Sequence, residues 1–281
     1  MNESVRTKIQ SLERNMTKSD MKVARLILSD YPSVGLHSLA EIGEQADVSA
    51  ATVLRFVSKL GFEGFPAFQE SLKAELQQSF SSPLDRFEKG AALMQSNSPL
   101  ERYASYASEL MQTAAKMVSG YEFGTISSLL SETKRPVHVI GGRFSRSIAE
   151  LFCYGFGQVR GDCHTVQNDA LSMVECLMNV RKRDLVIVFD FRRYQGPLES
   201  FCKHAAGTGA TIILVTDQWQ SPIQKIANHV LTVPVESPST FDSGLAAVMC
   251  VEALIDDVSR KLQDQVPARI AKFETMYDEF K

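Results

Sequence analysis

The sequence predicts a two-domain chain, an all-α N-terminal domain followed by an α/β domain built on a five-stranded parallel sheet. Three observations carry this. At 281 residues the length favours two domains. Up to about residue 131 apolar side chains recur at helical spacing. From Pro136 the period changes, and short apolar runs alternate with helical patterns, as in a parallel sheet covered on both faces.

The first helix is expected over Val5–Arg14. Thr17-Lys-Ser-Asp20 is a cap signal for a second, strongly apolar helix to Ser29, which Tyr31-Pro32 ends. Ser38 to Leu60 then reads as two short helices joined by a turn at Ala46-Asp-Val-Ser49, a helix-turn-helix. Leu39, Ile42, Gly43 and Ala46 share one face of the first helix, and the small Gly43 and Ala46 permit close approach. Ser49 is an N-cap for the second helix, whose buried face is Val53, Phe56, Val57 and Leu60.

Its other face shows Ala50, Ala51, Thr52, Arg55, Ser58 and Lys59, with no acidic residue from Val48 to Gly61. Such a helix suits the DNA major groove. Ala50 and Ala51 let the helix end sit against base edges, and Thr52 reaches a base or a phosphate. Arg55 suits a guanine or a phosphate, while Ser49 and Lys59 hold the backbone. The plainer alternative is an αα-hairpin with a solvated basic face. The formal charge of −3 supplies no global attraction to nucleic acid, so binding would rest on a local patch.

Gly61-Phe-Glu-Gly-Phe-Pro66 leads into a helix over Ala67–Gln77, and residues 1–77 form the first domain. The polar stretch Gln78–Pro83 is the expected linker, and residues 78–131 are read as linker and bridging helices, or a dimer element. The break near Ser96–Pro99 precedes one long helix over Arg102–Val118. Strands are expected at Val137–Ile140, Cys163–Val166, Leu185–Phe189, Thr211–Val215 and Val230–Val233. Helical patterns at Ile148–Val159, Ala170–Val180, Pro197–Gly207 and Pro222–Ala227 separate them. The second domain spans 132–265 and includes a returning helix, Leu245–Leu262; residues 266–281 form a terminal amphipathic helix.

Five scattered cysteines form no CxxC pair and no zinc pattern, which fits a reducing cytoplasm, and no metal or cofactor is expected. Met1–Ser19 is polar, so no signal peptide is expected, and no apolar run is long enough to span a bilayer.

The stretch Ser49-Ala-Ala-Thr-Val-Leu-Arg-Phe-Val-Ser-Lys-Leu-Gly-Phe-Glu-Gly-Phe65 resembles the RpiR family of bacterial transcription regulators. Those proteins join such a helix-turn-helix to a sugar isomerase (SIS) domain. The second half resembles that domain at Val137-His-Val-Ile-Gly-Gly-Arg-Phe-Ser145, Asp184–Phe189 and Thr216-Asp-Gln-Trp-Gln-Ser-Pro222. The resemblance implies a homodimer or homotetramer on double-stranded operator DNA and an effector, usually a sugar phosphate, in the SIS domain. It also implies a phosphate cradle of a Gly-x-Gly-x-Ser turn and a Ser-x-Ser-Gly-x-Thr loop. Here Ser145 remains, but Arg143 replaces the second glycine. In the second loop the serine positions hold Asp190 and Arg192, the glycine Arg193 and the threonine Gln195.

The changed loops leave two readings. Arg143, Arg146, Arg192 and Arg193 lie near the C-terminal ends of strands, where parallel sheets bind ligands, and arginine forks suit carboxylate or phosphate. With Gly142 and Ser145 they would form a site for a small anionic effector. Alternatively Asp190 pairs with one of the arginines and closes the site. The loop Glu236–Ser243 is expected to face the same crevice, with Ser239 and Thr240 either touching the ligand or capping the next helix. The functional expectation is a cytoplasmic DNA-binding regulator, not an enzyme, controlled by a sugar phosphate or carboxylate. The competing reading is a sugar-phosphate isomerase carrying an extra helical domain. It lacks a visible Glu/His pair beside a phosphate anchor.

Overall fold

A computed structural model describes residues 4–12, 15–29, 31–80 and 98–280. The chain divides into two compact units, 1–85 and 86–281.

The first unit is helical: α1 (Val5–Leu12), α2 (Lys18–Ser29), α3 (Leu39–Gln45), α4 (Ala50–Lys59) and α5 (Phe65–Phe80), with a 3₁₀ turn at Ser33–Leu36. Its core gathers Val23 and Ile27 of α2, Ile42 of α3, Val53, Phe56 and Val57 of α4, and Phe68 and Leu72 of α5. Buried Glu75 ties three segments together: one oxygen accepts from Val5 N at 2.8 Å, the other from the Tyr31 hydroxyl. The linker expectation needs correction. Gln78–Phe80 continue α5, and residues 81–83 lie outside the described residues, as does the expected helical stretch from Leu84 to residue 97.

Among the described residues the second unit begins with α6 (Pro99–Met117) and α7 (Gly120–Leu130). These are not a free-standing bridge. Leu110, Ala114, Ile126 and Leu130 are buried in the core of the α/β unit, because both helices carry apolar stripes that pack against the sheet and against the helix Leu245–Lys261. Ser98 caps α6 and Ser119 caps α7, so the long helix expected over Arg102–Val118 runs from Pro99 and ends one residue short of Val118.

Strands β1 (Val137–Gly141), β2 (Cys163–Thr165), β3 (Leu185–Asp190), β4 (Thr211–Asp217) and β5 (His229–Val233) form one parallel sheet ordered β2-β1-β3-β4-β5. The helices are α8 (Arg146–Val159), α9 (Ala170–Asn179), α10 (Gly196–Gly207), α11 (Leu245–Lys261) and α12 (Val266–Asp278). Alternate residues of β3 serve opposite faces. Leu185, Ile187 and Phe189 join α6, α7, α8 and α11, whereas Val186 and Val188 join α9 and α10. The helix expected at Pro222–Ala227 is a single 3₁₀ turn, Pro222–Lys225. Arg269 of α12 donates to the carbonyls of Gly157 (2.6 Å) and Gln158 (3.1 Å), satisfying acceptors left open at the end of α8. Among the described residues no helix is long and apolar enough to cross a membrane.

Candidate nucleic-acid and effector sites

The turn between α3 and α4 is built on two special backbone positions. Asp47 takes a left-handed conformation (φ 51°), and Val48 N returns to Gly43 O at 2.9 Å. A Cβ on Gly43 would sit 3.0 Å from Val48 O and 3.3 Å from Ala50 N, so a larger residue would push the turn backbone away by a few tenths of an ångström. Lys22 of α2 clamps the turn through the Asp47 carboxylate at 2.6 Å.

Ser49 caps α4 by accepting from Thr52 N at 3.2 Å, and the Ser49 and Thr52 hydroxyls lie 2.9 Å apart. Arg55 donates to Thr52 Oγ1 at 3.1 Å, which holds its guanidinium along the outer flank toward the helix start. Ser49, Ala50, Ala51, Arg55 and Ser58 are exposed and Thr52 is half-buried. The Ser58 hydroxyl is turned back onto Leu54 O at 3.1 Å.

Two findings alter the expected set. Lys59 is not a free backbone-holding cation: it is ion-paired at 2.6 Å with the buried carboxylate of Asp20 on α2. Burial pushes the Asp20 pKa up, but hydrogen bonds from Lys59 and Thr17 outweigh it and hold the carboxyl below its usual value. Second, Leu54 is 42% exposed on the same flank. Its apolar character hid it from a reading that sought polar contacts. Its position, three after Ala51 and four after Ala50, was the available signal.

In the second unit the order β2-β1-β3 places a topological switch point between β1 and β3. A crevice of about 690 Å³ opens there, lined by Gly142, Arg143, Arg146, Asn168, Gln195 and His204 among others, with Met173 and Phe201 as apolar walls. Arg143 is exposed, while Arg146 is braced by Glu150 at 2.7 Å. Asn168 donates to Gln195 Oε1 at 2.7 Å across the crevice. The sequence reading missed Asn168 and His204, which carry no motif of their own.

The remaining expected residues do not converge on this crevice. Ser145 is buried: its hydroxyl accepts from Gly142 N at 2.9 Å and donates to Phe189 O at 2.5 Å, bracing β1 against β3. Asp190 does not pair with an arginine. It is buried, accepts from Ser221 Oγ at 2.5 Å, and burial pushes its pKa up to about 6. Arg192 is folded away: its guanidinium forks onto Asp242 and lies 4.8 Å from the Trp219 ring. Asp217, pushed up to about 6 by burial, anchors this loop by accepting from Arg192 N (2.5 Å), Trp219 N (2.9 Å) and the Tyr194 hydroxyl (2.7 Å). Arg193 is exposed at a left-handed position, φ 69°. Ser239 is exposed and Thr240 half-buried, and neither lines the crevice. Arg192 holds Asp242 of that loop at 2.5 Å.

Comparison with known proteins fits both units. Residues 3–79 match the model of the helix-turn-helix domain of the rpiR family, and residues 129–256 match the SIS domain. The chain belongs to the RpiR family of transcription regulators. An HTH-type transcriptional regulator of Haemophilus influenzae is 26% identical over 237 residues, covering 81% of this chain and 79% of its own. The sugar isomerase domain of an RpiR transcription factor from Sphaerobacter thermophilus superposes with a TM-score of 0.59 at 18% identity, over 63% of this chain and 98% of that one. The Vibrio vulnificus NanR protein, solved with ManNAc-6P, superposes with a TM-score of 0.56 at 15% identity, over 99% of each chain. In this RpiR-family chain the hydroxyl positions of the second SIS loop carry residues committed elsewhere, Asp190 to Ser221 and Arg192 to Asp242.

Proposed function

We propose that this regulator presents the flank of α4 to the major groove of an operator and takes a small anionic metabolite, a sugar phosphate or a carboxylate, into the crevice at the ends of β1 and β3. The observation that carries the first part is the exposed, acid-free flank of α4, on which Arg55 is held by Thr52. Ala50 and Ala51 allow close approach, Leu54 suits a thymine methyl, Arg55 suits a guanine edge, Ser49 suits a phosphate, and Ser58 would have to release Leu54 O to reach one. In a homodimer two such helices about 34 Å apart would read half-sites one turn apart. The ManNAc-6P on the Vibrio protein supports an anionic effector. Arg143 is its first anchor and Arg146, braced by Glu150, its second.

The crevice does not favour isomerase chemistry. The carboxylate among its described lining residues, Asp169, caps α9. Hydrogen bonds from Ser172 hold its pKa below the usual value, which makes a poor base.

The test starts from genomic DNA fragments selected by the full-length protein. Arg55→Ala should weaken binding to the selected fragments by ~5- to 150-fold, the worth of one bidentate base contact, with little change on random DNA. Equal affinity of variant and parent for the selected fragments would overturn the assignment of α4. For the effector, calorimetric titration with ManNAc-6P and with dicarboxylates should give binding that Arg143→Ala removes; binding undiminished in that variant would exclude the crevice.

A further inference from the structure

Helix α12 is held at its beginning. Among its described residues Val266 alone is buried, and Arg269 ties the helix to Gly157 O and Gln158 O at the end of α8. Every residue from Pro267 to Phe280 is exposed. A helix of 13 residues standing in water is marginal, because most helical stability comes from covering an apolar face.

The stripe that buries Val266 continues past the contact with α8. Ile270, Phe273, Met276 and Tyr277 recur on that side at helical spacing, with Phe280 in the turn that follows, and these five are between 40% and 84% exposed. Phe273 and Tyr277 already stack, with ring centroids 5.9 Å apart. On α8 the exposed Leu151 and Tyr154 lie on the face that leads to Gln158, and they extend the patch. At about 150–250 Å² per aromatic side chain, α12 leaves roughly 600 Å² of side-chain surface open and α8 brings the total to roughly 800 Å². That matches the ~800 Å² that each partner gives to a stable interface, and it exceeds the ~300–600 Å² patch of a typical monomer.

Charge selects the occupant. Lys272 and Glu279 stand seven residues apart on one edge of the stripe, and Glu279, the cap residue, keeps a right-handed helical backbone (φ −72°, ψ −14°). Two parallel copies would set lysine level with lysine and glutamate level with glutamate. In two antiparallel copies the same edge meets itself reversed, so Lys272 of each helix comes level with Glu279 of the other. That register also sets Phe273 of each helix opposite Tyr277 of the other, with Met276 beside its own copy.

We propose that α12 is a self-pairing arm: two copies of this chain associate through an antiparallel α12–α12 contact about a two-fold axis near Met276, flanked by Leu151 and Tyr154 of α8. The contact is isologous, so each pair of residues occurs twice. It deepens the homodimer invoked for operator binding and rests on that reading for the existence of a dimer alone.

Sedimentation velocity of the full-length protein across micromolar concentrations should show a dimer. Phe273→Asp should raise its dissociation constant by at least about 30-fold, as the loss of an aromatic anchor does, with the circular dichroism of a folded chain retained because the side chain is exposed within one copy. Lys272→Glu and Glu279→Lys should each weaken the dimer by ~3- to 30-fold, and the two together in one chain should restore it. Met276→Cys should give, on mild oxidation, a covalent dimer whose cross-linked peptide contains position 276 twice. A monomeric parent would overturn the proposal together with the homodimer. A dimer that Phe273→Asp leaves unchanged would overturn the α12 contact and spare the homodimer, and a double exchange no better than either single one would refute the antiparallel arrangement.

Discussion

Replacing Lys59 by alanine separates a structural role from a DNA contact. In the folded protein Lys59 Nζ sits 2.6 Å from Asp20 Oδ2, whose side chain is 4% exposed, while the lysine is 47% exposed. A hydrogen bond to a charged group contributes about 1.5–3 kcal/mol, and solvent at the lysine end reduces that toward ~1 kcal/mol. Asp20 keeps its Thr17 bonds in the variant, so it is not stranded. A loss of ~1 kcal/mol raises the open population of α4 by about fivefold. Hydrogen exchange of the α4 amides should therefore accelerate by about that factor at pH 7. The Asp20 pKa is depressed in the folded state, so its contribution is present above the unfolded value of ~3.9 and lost as pH falls through the lower folded value. The gap between variant and parent should close on acidification. On DNA, the salt slope should change by much less than the ~0.9 of a lost phosphate contact. Unchanged exchange with a full unit lost from the slope would refute the bracing role.

Two further substitutions test the local geometry. Gly43→Ala should forfeit the usual helix gain of up to ~1 kcal/mol, because its Cβ meets the backbone of Val48 and Ala50. Gly124→Ala in α7, where a Cβ meets nothing within 4 Å, should show that gain in urea unfolding, and equal gains at both sites would contradict the close approach. Asp190→Asn should stabilise the protein at pH 7.5 by on the order of a few kcal/mol, since the folded pKa of about 6 lies above the unfolded value. The wild-type carboxyl is favoured below pH ~4 and that stability is lost as pH rises through about 6, so the advantage of the variant should vanish at pH 4. A destabilisation that appears at pH 7.5 and fades at pH 4 would refute this and show that the Ser221 contact needs the ionised form.

Strands and helices that bury a contiguous apolar face were legible: all five expected strand segments overlap observed ones, and the helix-turn-helix turn falls at Ala46–Ser49. Periodicity reports a face, not its partner. That is why α6 and α7, read as a bridge, belong to the sheet core. Side-chain commitment was not legible either. Lys59 and Arg192 looked available because their acidic partners, Asp20 and Asp242, lie 39 and 50 residues away in sequence. Spacing rules reach only neighbours on one element. The crevice residues Asn168 and His204 come from separate segments that only the sheet order brings together.

The altered second loop is a coordinated replacement rather than a simple loss. Asp190 at the first serine position meets Ser221, which lies in the Thr216–Pro222 segment. Arg192 at the second meets Asp242 and stacks on Trp219. Both substituted serine positions have a partner on another loop, and Asp217 ties those loops at the backbone. A loop filled in this way offers no hydroxyl at those two positions, so a phosphate would find its charge-neutralising groups on the other side of the switch point. Arg143 and Arg146 are placed there, after β1. Two guanidiniums flanked by Met173 and Phe201 discriminate by charge and bulk more than by the hydroxyl pattern of a sugar. An effector series varied in its hydrophobic part, at constant charge, should therefore change affinity more than one varied in hydroxyl stereochemistry. Titration of the full-length protein with both series would show the reverse order if the hydroxyl cradle still governed recognition.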